Sequence, residues 1–497
     1  MLIRLIFLTL LGTAFAPSPF SRHYRGPYAN PFAGAYSSLG QFGPFGSVSL
    51  AHQESSTVPT FFLGSNIGAG STNKPANSIK PAERSGIFDT IYEWNILDYA
   101  FNSPQERQQA IMSQEFVPEN NLPLGIDRWK NTLFVTTPRW KEGTPATLST
   151  IDLRNNFKSP LLVPYPDFSW HSSTSNPDCT KLMNVYRTFV DECDRLWVID
   201  AGVVETLTNF RQLCPPKIVI FDLNTDAHIF TYELPPEQVK QDSLHSSIVV
   251  DVPNGKCEDA FAYVTDVWRF GVVVFSFNEG RSWRTTSHLH LPNPLASDFN
   301  FQGINFQWTD GTFGISLAPV ADQRTGDRAL FFHPMSSFME FMVNTGVLKN
   351  ETNWINGPFI GPVSNPQSFQ PVGNRGLKGQ SSTSAMARNG VQFYNLVQRS
   401  AVGCWDIRKP YTMHNLALVE SDAIKLNFPN DIKADYEIKQ NLWVLTNYLP
   451  QFLYSQLDYN QINFRILATP VERAIAGTVC DPSVSASLAP NPLDTCV

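Results

Sequence analysis

Val185-Tyr186-Arg187-Thr188-Phe189-Val190 is followed by Asp191-Glu192-Cys193-Asp194 and then, after Arg195, by Leu196-Trp197-Val198-Ile199-Asp200. Two runs rich in β-branched and aromatic residues flank a polar turn, the pattern of an antiparallel strand pair. A loop then leads to Cys214. Residues 217–223, a turn at Asn224-Thr225-Asp226, and residues 228–234 supply two further strands. Four short strands in succession make one small sheet. The central run of this unit recurs along the chain. Leu133-Phe134-Val135, Leu196-Trp197-Val198-Ile199, Ala262-Tyr263-Val264, Phe313-Gly314-Ile315, Val391-Gln392-Phe393-Tyr394 and Leu442-Trp443-Val444-Leu445 start roughly 50 to 80 residues apart. A recurrence of that length marks a repeated supersecondary unit.

The remaining repeats follow the same four-strand plan. The first spans about 122–165, the third 247–288, the fourth 303–343, the fifth 381–419 and the sixth 428–466. Asp310-Gly311 and Asn389-Gly390 read as hairpin turns. The stretch 344–378 reads as a loop-like insertion. A four-stranded antiparallel unit cannot bury both faces alone, and packing six of them radially solves the edge problem. The expected fold is therefore all-β, a six-bladed β-propeller over residues 86–480. The competing architecture, a pair of β-sandwiches, would need a linker between repeats, and none is visible. Ile91 to Tyr99 precedes the first blade and is placed to add a strand to the last one, closing the ring.

Bulk composition sets the setting. The chain has 497 residues, 42% hydrophobic and 16% charged, with a formal charge of −7. Without a cluster of Lys and Arg it does not read as a nucleic-acid binder. Residues 1–16 read as a signal peptide: Arg4 is the basic start, Leu5 to Leu11 the apolar core, and Ala14-Phe15-Ala16 the cleavage motif. That apolar run is too short to span a bilayer, and no later segment is long enough either. The expected location is secreted and extracellular. Residues 17–85, rich in Gly, Pro, Ser and aromatic residues, read as a disordered extension. An unconstrained tail is the plainer reading of it, and attachment to an extracellular matrix the functional one. Residues 481–497 form a C-terminal tail. Asn350-Glu351-Thr352 is an N-glycosylation acceptor in a polar loop, so Asn350 is the expected glycan site.

Several motifs resemble those of the Yellow/major royal jelly protein family. They are Asp191-Glu192-Cys193-Asp194-Arg195-Leu196-Trp197-Val198-Ile199-Asp200-Ala201-Gly202, Cys214-Pro215-Pro216-Lys217-Ile218-Val219-Ile220-Phe221-Asp222-Leu223, Tyr263-Val264-Thr265-Asp266, Ala401-Val402-Gly403-Cys404-Trp405-Asp406 and Leu442-Trp443-Val444-Leu445-Thr446-Asn447. They occur in family order over residues 86 to about 480. The resemblance implies an insect-type secreted six-bladed propeller linked to cuticle pigmentation and melanin chemistry. Within that family, some members are credited with converting dopachrome, salivary members bind biogenic amines, and royal jelly members are food proteins. The long N-terminal extension departs from the family pattern.

Seven cysteines suit an oxidising compartment and leave at least one thiol unpaired. Cys179 and Cys193 lie at opposite ends of one strand, which rises roughly 3.3 Å per residue, so they are too far apart to bridge. Blade geometry instead brings Cys179 to Cys214 and Cys193 to Cys257. Cys404 lies within a strand and reads as a small buried hydrophobe, while Cys480 and Cys496 in the tail are available to each other.

No nucleophile elbow, phosphate loop or dinucleotide fingerprint is present. His288-Leu289-His290 offers two imidazoles on one strand face but no third ligand, so no metal or other cofactor is expected. Function in a propeller collects at the central channel, whose walls are the first strand of each blade. The channel candidates are Asn184, Tyr186, His245, Ser246, Ser247, Asn305, Ser381, Ser382, Thr383, Asn430 and Asp431. A small aromatic amine or aminochrome needs a ring slot, here assigned to Tyr186, Phe306 and Phe369, and a carboxylate for its ammonium, here Asp431. Dopachrome rearrangement needs a base near working pH, and His245, at the start of an inner strand, is the candidate. Lining a water-filled channel is the plainer role for each of these. Asp200, Asp266 and Trp405 belong to second or third strands, where packing and turn capping account for them. The reading reached is a secreted protein that binds a catecholamine or aminochrome and acts in pigmentation. Its alternatives are a dopachrome-converting isomerase and a non-catalytic matrix or storage protein.

Overall fold

In the second repeat the strands Val185–Val190, Arg195–Asp200, Lys217–Asp222 and Ala227–Glu233 pair edge to edge in chain order. The turn after the first strand is organised by Asp191. Its carboxylate accepts from the backbone N–H of Cys193 and Arg195, and from the indole Nε1 of Trp197 at 2.8 Å. Blade six repeats the device: Asp435 accepts from Asn441 N and from Trp443 Nε1 at 2.9 Å. A buried turn thus has its orphan donors satisfied by a side chain that also anchors the second-strand tryptophan.

The computed structural model describes residues 84–206, 208–319, 324–354 and 368–483. The expected leader, nearly all of the extension, most of the C-terminal tail and Cys496 lie outside the described residues. Six four-stranded sheets are arranged as a propeller. Their inner strands are Gly125–Trp129, Val185–Val190, His245–Asp251, Thr312–Leu317, Ser384–Met386 and Pro429–Ala434, each next to its neighbours around a closed ring. Apolar layers fill the gaps between blades. Between blades two and three, Trp197, Ile199, Ile218 and Ile220 pack against Val250, Ala262, Val264 and Phe275. Each fully buried side chain of this size contributes on the order of 1.5–3 kcal/mol.

Closure comes from both ends of the fold. Asp89–Trp94 pairs with Phe464–Pro470 and becomes the outermost strand of blade six. Glu420 of blade five, 1% exposed, holds the entry to that strand. Its carboxylate accepts from Gly86 N at 2.8 Å, Ile87 N at 2.9 Å and Phe88 N at 2.7 Å. Asp200 and Asp266 serve the connections between blades. Asp200 accepts from Met183 N and Asn184 N, and Asp266 from Leu244 N and Ser243 Oγ. Among the described residues no helix is long and apolar enough to cross a membrane.

The structure corrects five readings. Blade four runs Thr312–Leu317, Ala329–Pro334, Met339–Asn344 and Phe369–Asn374, so its outer strand comes from the stretch read as an insertion. Ile304–Gln307, read as part of that blade, instead pairs with Asp298–Phe301 in a separate hairpin. Asp310-Gly311 is no hairpin turn but the entry to the inner strand of blade four, where a Cβ on Gly311 would meet His290 O and Val267 O at 2.7 and 2.8 Å. His288–His290 is a turn of 3-10 helix rather than a strand. Cys179–Cys214 and Cys193–Cys257 pair as blade geometry requires. Cys404, however, is bonded to Cys480. The short helix Val471–Ile475 after the last strand packs against the core shared by blades five and six, which carries Cys480 to Cys404.

Replacing Glu420 with Ala is expected to lower the unfolding free energy by roughly 2–4 kcal/mol, because a buried amide loses its partner. It is also expected to speed proteolysis within residues 84–94. A urea midpoint equal to that of the parent would show that the strand pairing alone closes the ring.

Candidate functional site

The inner strands enclose a channel that one layer of side chains divides in two. Arg187, fully buried, spans it from blade two to blade six. Its Nη2 donates to the carbonyl and the side-chain oxygen of Asn430, each at 3.0 Å. Its Nη1 donates to Ser247 Oγ at 3.3 Å, and its Nε lies 3.4 Å from Asp431 Oδ1. Phe313 of blade four packs against the guanidinium at 4.7 Å and lines the cavities on both sides. A buried cation is tolerable here because a carboxylate, two carbonyl-type oxygens and a π-face share its charge.

One mouth is aromatic. Its cavity is lined by Trp140, Trp268, Trp308, Phe313 and Phe428, with Asp310, Ser382 and Asn430 as its polar groups. The cavity measures about 30 Å³, room for a single water. The hairpin 298–307 and the helix Leu449–Tyr454 cap it. Phe299 and Phe306 stack at 5.3 Å within the hairpin, Phe306 lies 5.2 Å from Tyr454, and Trp308 Nε1 donates to Tyr454 OH at 2.7 Å. Among the described residues Asp310 is the only titratable side chain lining the cavity. Burial pushes its pKa up to about 7, while the Trp268 Nε1–H, donating to Oδ1 at 3.0 Å, pulls the other way. The Asn430 Nδ2 is buried without a hydrogen-bond partner among the described residues.

The other mouth is wider and more polar, a cavity of about 280 Å³. Ser247, Thr383, Asp431 and Arg187 lie toward its floor, and Phe189 and Lys433 higher on its walls.

The residues nominated from sequence separate into three groups. Ser382 lines the aromatic cavity and donates to Pro429 O at 2.8 Å, whereas Ser247, Thr383 and Asp431 line the polar one. Asn305 and Phe306 belong to the cap, not to an inner strand, with Asn305 Oδ1 accepting from Asn300 Nδ2. Tyr186 packs behind Trp140 at 5.3 Å, and its hydroxyl lies 3.1 Å from Thr206 Oγ1. Asn184 is spent on the backbone: its oxygen accepts from Arg139 N and its amide donates to Val203 O. His245 does start an inner strand, but its ring lines neither cavity. Burial pushes its pKa down to about 4, with Asp266 opposing and Arg284 assisting that shift. Phe369 lies on the outer strand of blade four against His290 and Phe332, away from the channel. Asn350 is exposed, and its Oδ1 accepts from Thr352 N and Oγ1.

Sequence reasoning missed Arg187, Asp310 and the three tryptophans. Two signals were available. Arg187 is a cation at mid-strand, which a buried channel must neutralise. Asp310 lies two residues before an inner strand, as Ser382 does, and Asn430 is the second residue of one.

Residues 183–480 match the model of the major royal jelly protein family. The chain is 49% identical over 403 residues to a dopaminechrome tautomerase of Drosophila melanogaster, covering 80% of this chain and 85% of that protein. It is 39% identical over 406 residues to protein yellow of Drosophila subobscura, covering 81% of this chain and 69% of that protein.

The raised pKa of Asp310 makes stability depend on pH. The protonated carboxyl's contribution is full below the unfolded value near 4 and is lost as pH rises through about 7. Asp310→Asn is therefore expected to match the parent near pH 4 and to exceed it at pH 8 by roughly 2–4 kcal/mol. Urea unfolding across this range tests it, and equal stabilities at pH 8 would mean that the folded-state shift is absent.

Proposed function

This chain belongs to the Yellow/major royal jelly protein family, and on that premise we propose that it binds an aminochrome at the aromatic mouth and catalyses its tautomerisation to a dihydroxyindole, a step of melanin-type pigment chemistry. The single observation that carries the reading is Asp310: a lone buried carboxyl with a pKa near 7 among three tryptophans. The similarity to a dopaminechrome tautomerase supports it.

The chemistry is an isomerisation. Two C–H bonds of the aminochrome's reduced ring break, one at each of its two saturated carbons, their electron pairs complete the aromatic bicycle, and each of the two quinone oxygens gains a proton. No atom is added or lost. The catalyst must supply a base able to be ionised near neutral pH, and donors for the oxygens. Asp310 is the base. The Asn430 Nδ2 is the unspent donor on the same cavity. The indole faces hold the flat bicycle and exclude water, which strengthens each polar contact. Entry requires the cap of 298–307 and Leu449–Tyr454 to lift, since the closed cavity is far smaller than the ligand. Among the described residues the lining has no Lys, Arg or His, so a carboxylate on the substrate would face Asp310 with no compensating cation. The preferred substrate is accordingly a decarboxylated aminochrome such as dopaminechrome, rather than dopachrome. Three disulfides agree with work in an oxidising, extracellular setting.

Following loss of aminochrome colour with purified protein tests the proposal. Turnover is expected to rise as pH passes through about 7, and Asp310→Asn is expected to lower kcat/KM by about 10²–10⁴-fold. Dopachrome is expected to react at least about tenfold less efficiently than dopaminechrome. An unchanged rate in Asp310→Asn would remove Asp310 as the base.

A further inference from the structure

The wide polar mouth has no part in that chemistry, yet it holds the larger cavity, about 280 Å³. We propose that it is a second binding site, for a small aromatic carboxylate.

The argument rests on unspent donors. A guanidinium has five N–H donors and an ammonium three. Arg187 commits one Nη1–H to Ser247, its Nη2 to Asn430 and its Nε to the ion pair with Asp431, which leaves one Nη1–H uncommitted. Lys433 donates to Thr188 O at 2.8 Å and stands 3.7 Å from Asp127. The two carboxylates nearby are already engaged by the backbone. Asp431 accepts from Ile126 N and Ile432 N, and Asp127 from Val190 N and Arg128 N. The acids therefore act as clamps between and within inner strands, while one Nη1–H of Arg187 and two hydrogens of Lys433 carry no hydrogen bond among the described residues, and both side chains line the cavity. At the rim, Arg328 is paired with Asp251 and also faces Glu192, and Arg388 donates to Tyr436 O and Glu437 O.

The walls name the rest of the ligand. Phe189 and Phe313 line the cavity and already pack against Lys433 and Arg187, at 5.3 and 4.7 Å. A cavity of roughly 150 Å³ accepts a benzene ring, so 280 Å³ holds a bicyclic ring with its carboxylate. An apolar ring between aromatic walls, with an anion on two half-neutralised cations, satisfies both halves of this lining. The aromatic mouth, which lacks any cation, has the opposite preference.

Calorimetric titration of the whole protein with indole-2-carboxylate, using indole as the neutral control, tests the site. One saturable equivalent is expected, with indole at least about tenfold weaker. Lys433→Gln is expected to cut carboxylate affinity at least about tenfold, and Lys433→Arg to keep it within about threefold. Asp310→Asn, at the other mouth, is expected to leave it unchanged. Absence of saturable heat at millimolar probe, equal binding of indole, or an affinity indifferent to Lys433→Gln would overturn the proposal. Loss of binding in Asp310→Asn would also overturn it, by moving the probe to the aromatic mouth, without bearing on the tautomerase reading.

Discussion

Everything in this molecule depends on the ring being shut. Six four-stranded sheets laid side by side have two free ends, and each end exposes a strand edge and an apolar face. The chain removes both by carrying Asp89–Trp94 to the strand Phe464–Pro470 and finishing the sixth blade with its own N-terminal strand. Glu420 then secures three successive amides at the entry to that strand. The bond between Cys404 and Cys480 ties the segment after the last strand to blade five. Strand pairing, a buried carboxylate and a covalent bridge thus meet at one seam.

Closure also creates the channel, and the channel forces an electrostatic decision. Six inner strands bring polar side chains into a space with little water. Arg187 resolves it by joining blade two to blade six, with Asp431, Asn430, Ser247 and Phe313 sharing its charge. The same layer separates two mouths of opposite character. On one side a carboxyl sits among indoles, with its ionisation held near neutrality by burial. On the other, cations keep donors in excess of the carboxylates beside them. A single wall of side chains therefore gives one protein two chemically distinct cavities.

Much of the fold was legible because a strand's period of two is written locally. The runs around Leu196, Tyr263, Phe393 and Trp443 all fall in second strands, as their β-branched and aromatic content demands. Blade four was misread where the local signal fails. Its outer strand, Phe369–Asn374, contains Pro371 and Gly373 and follows a long connection, so its pairing with Met339–Asn344 is decided by the neighbouring strand. The hairpin at 298–307 has strand periodicity of its own, and nothing local distinguishes it from a blade's first strand.

The site was legible only in outline. Sequence by itself determined the repeat, the ring, the two disulfides set by blade geometry and the family, since each depends on spacing and residue type along the chain. Tertiary structure alone decided which polar residues face a cavity. His245 and Ser382 both stand at the start of inner strands, yet one is packed inside blade three and the other reaches the channel. Asp310 acquires its character from burial beside its near neighbour Trp308, with Trp268 brought to it from blade three and Trp140 from blade one. A carboxyl's proton affinity is set by what surrounds it in space, and those surroundings exist only once the ring has closed.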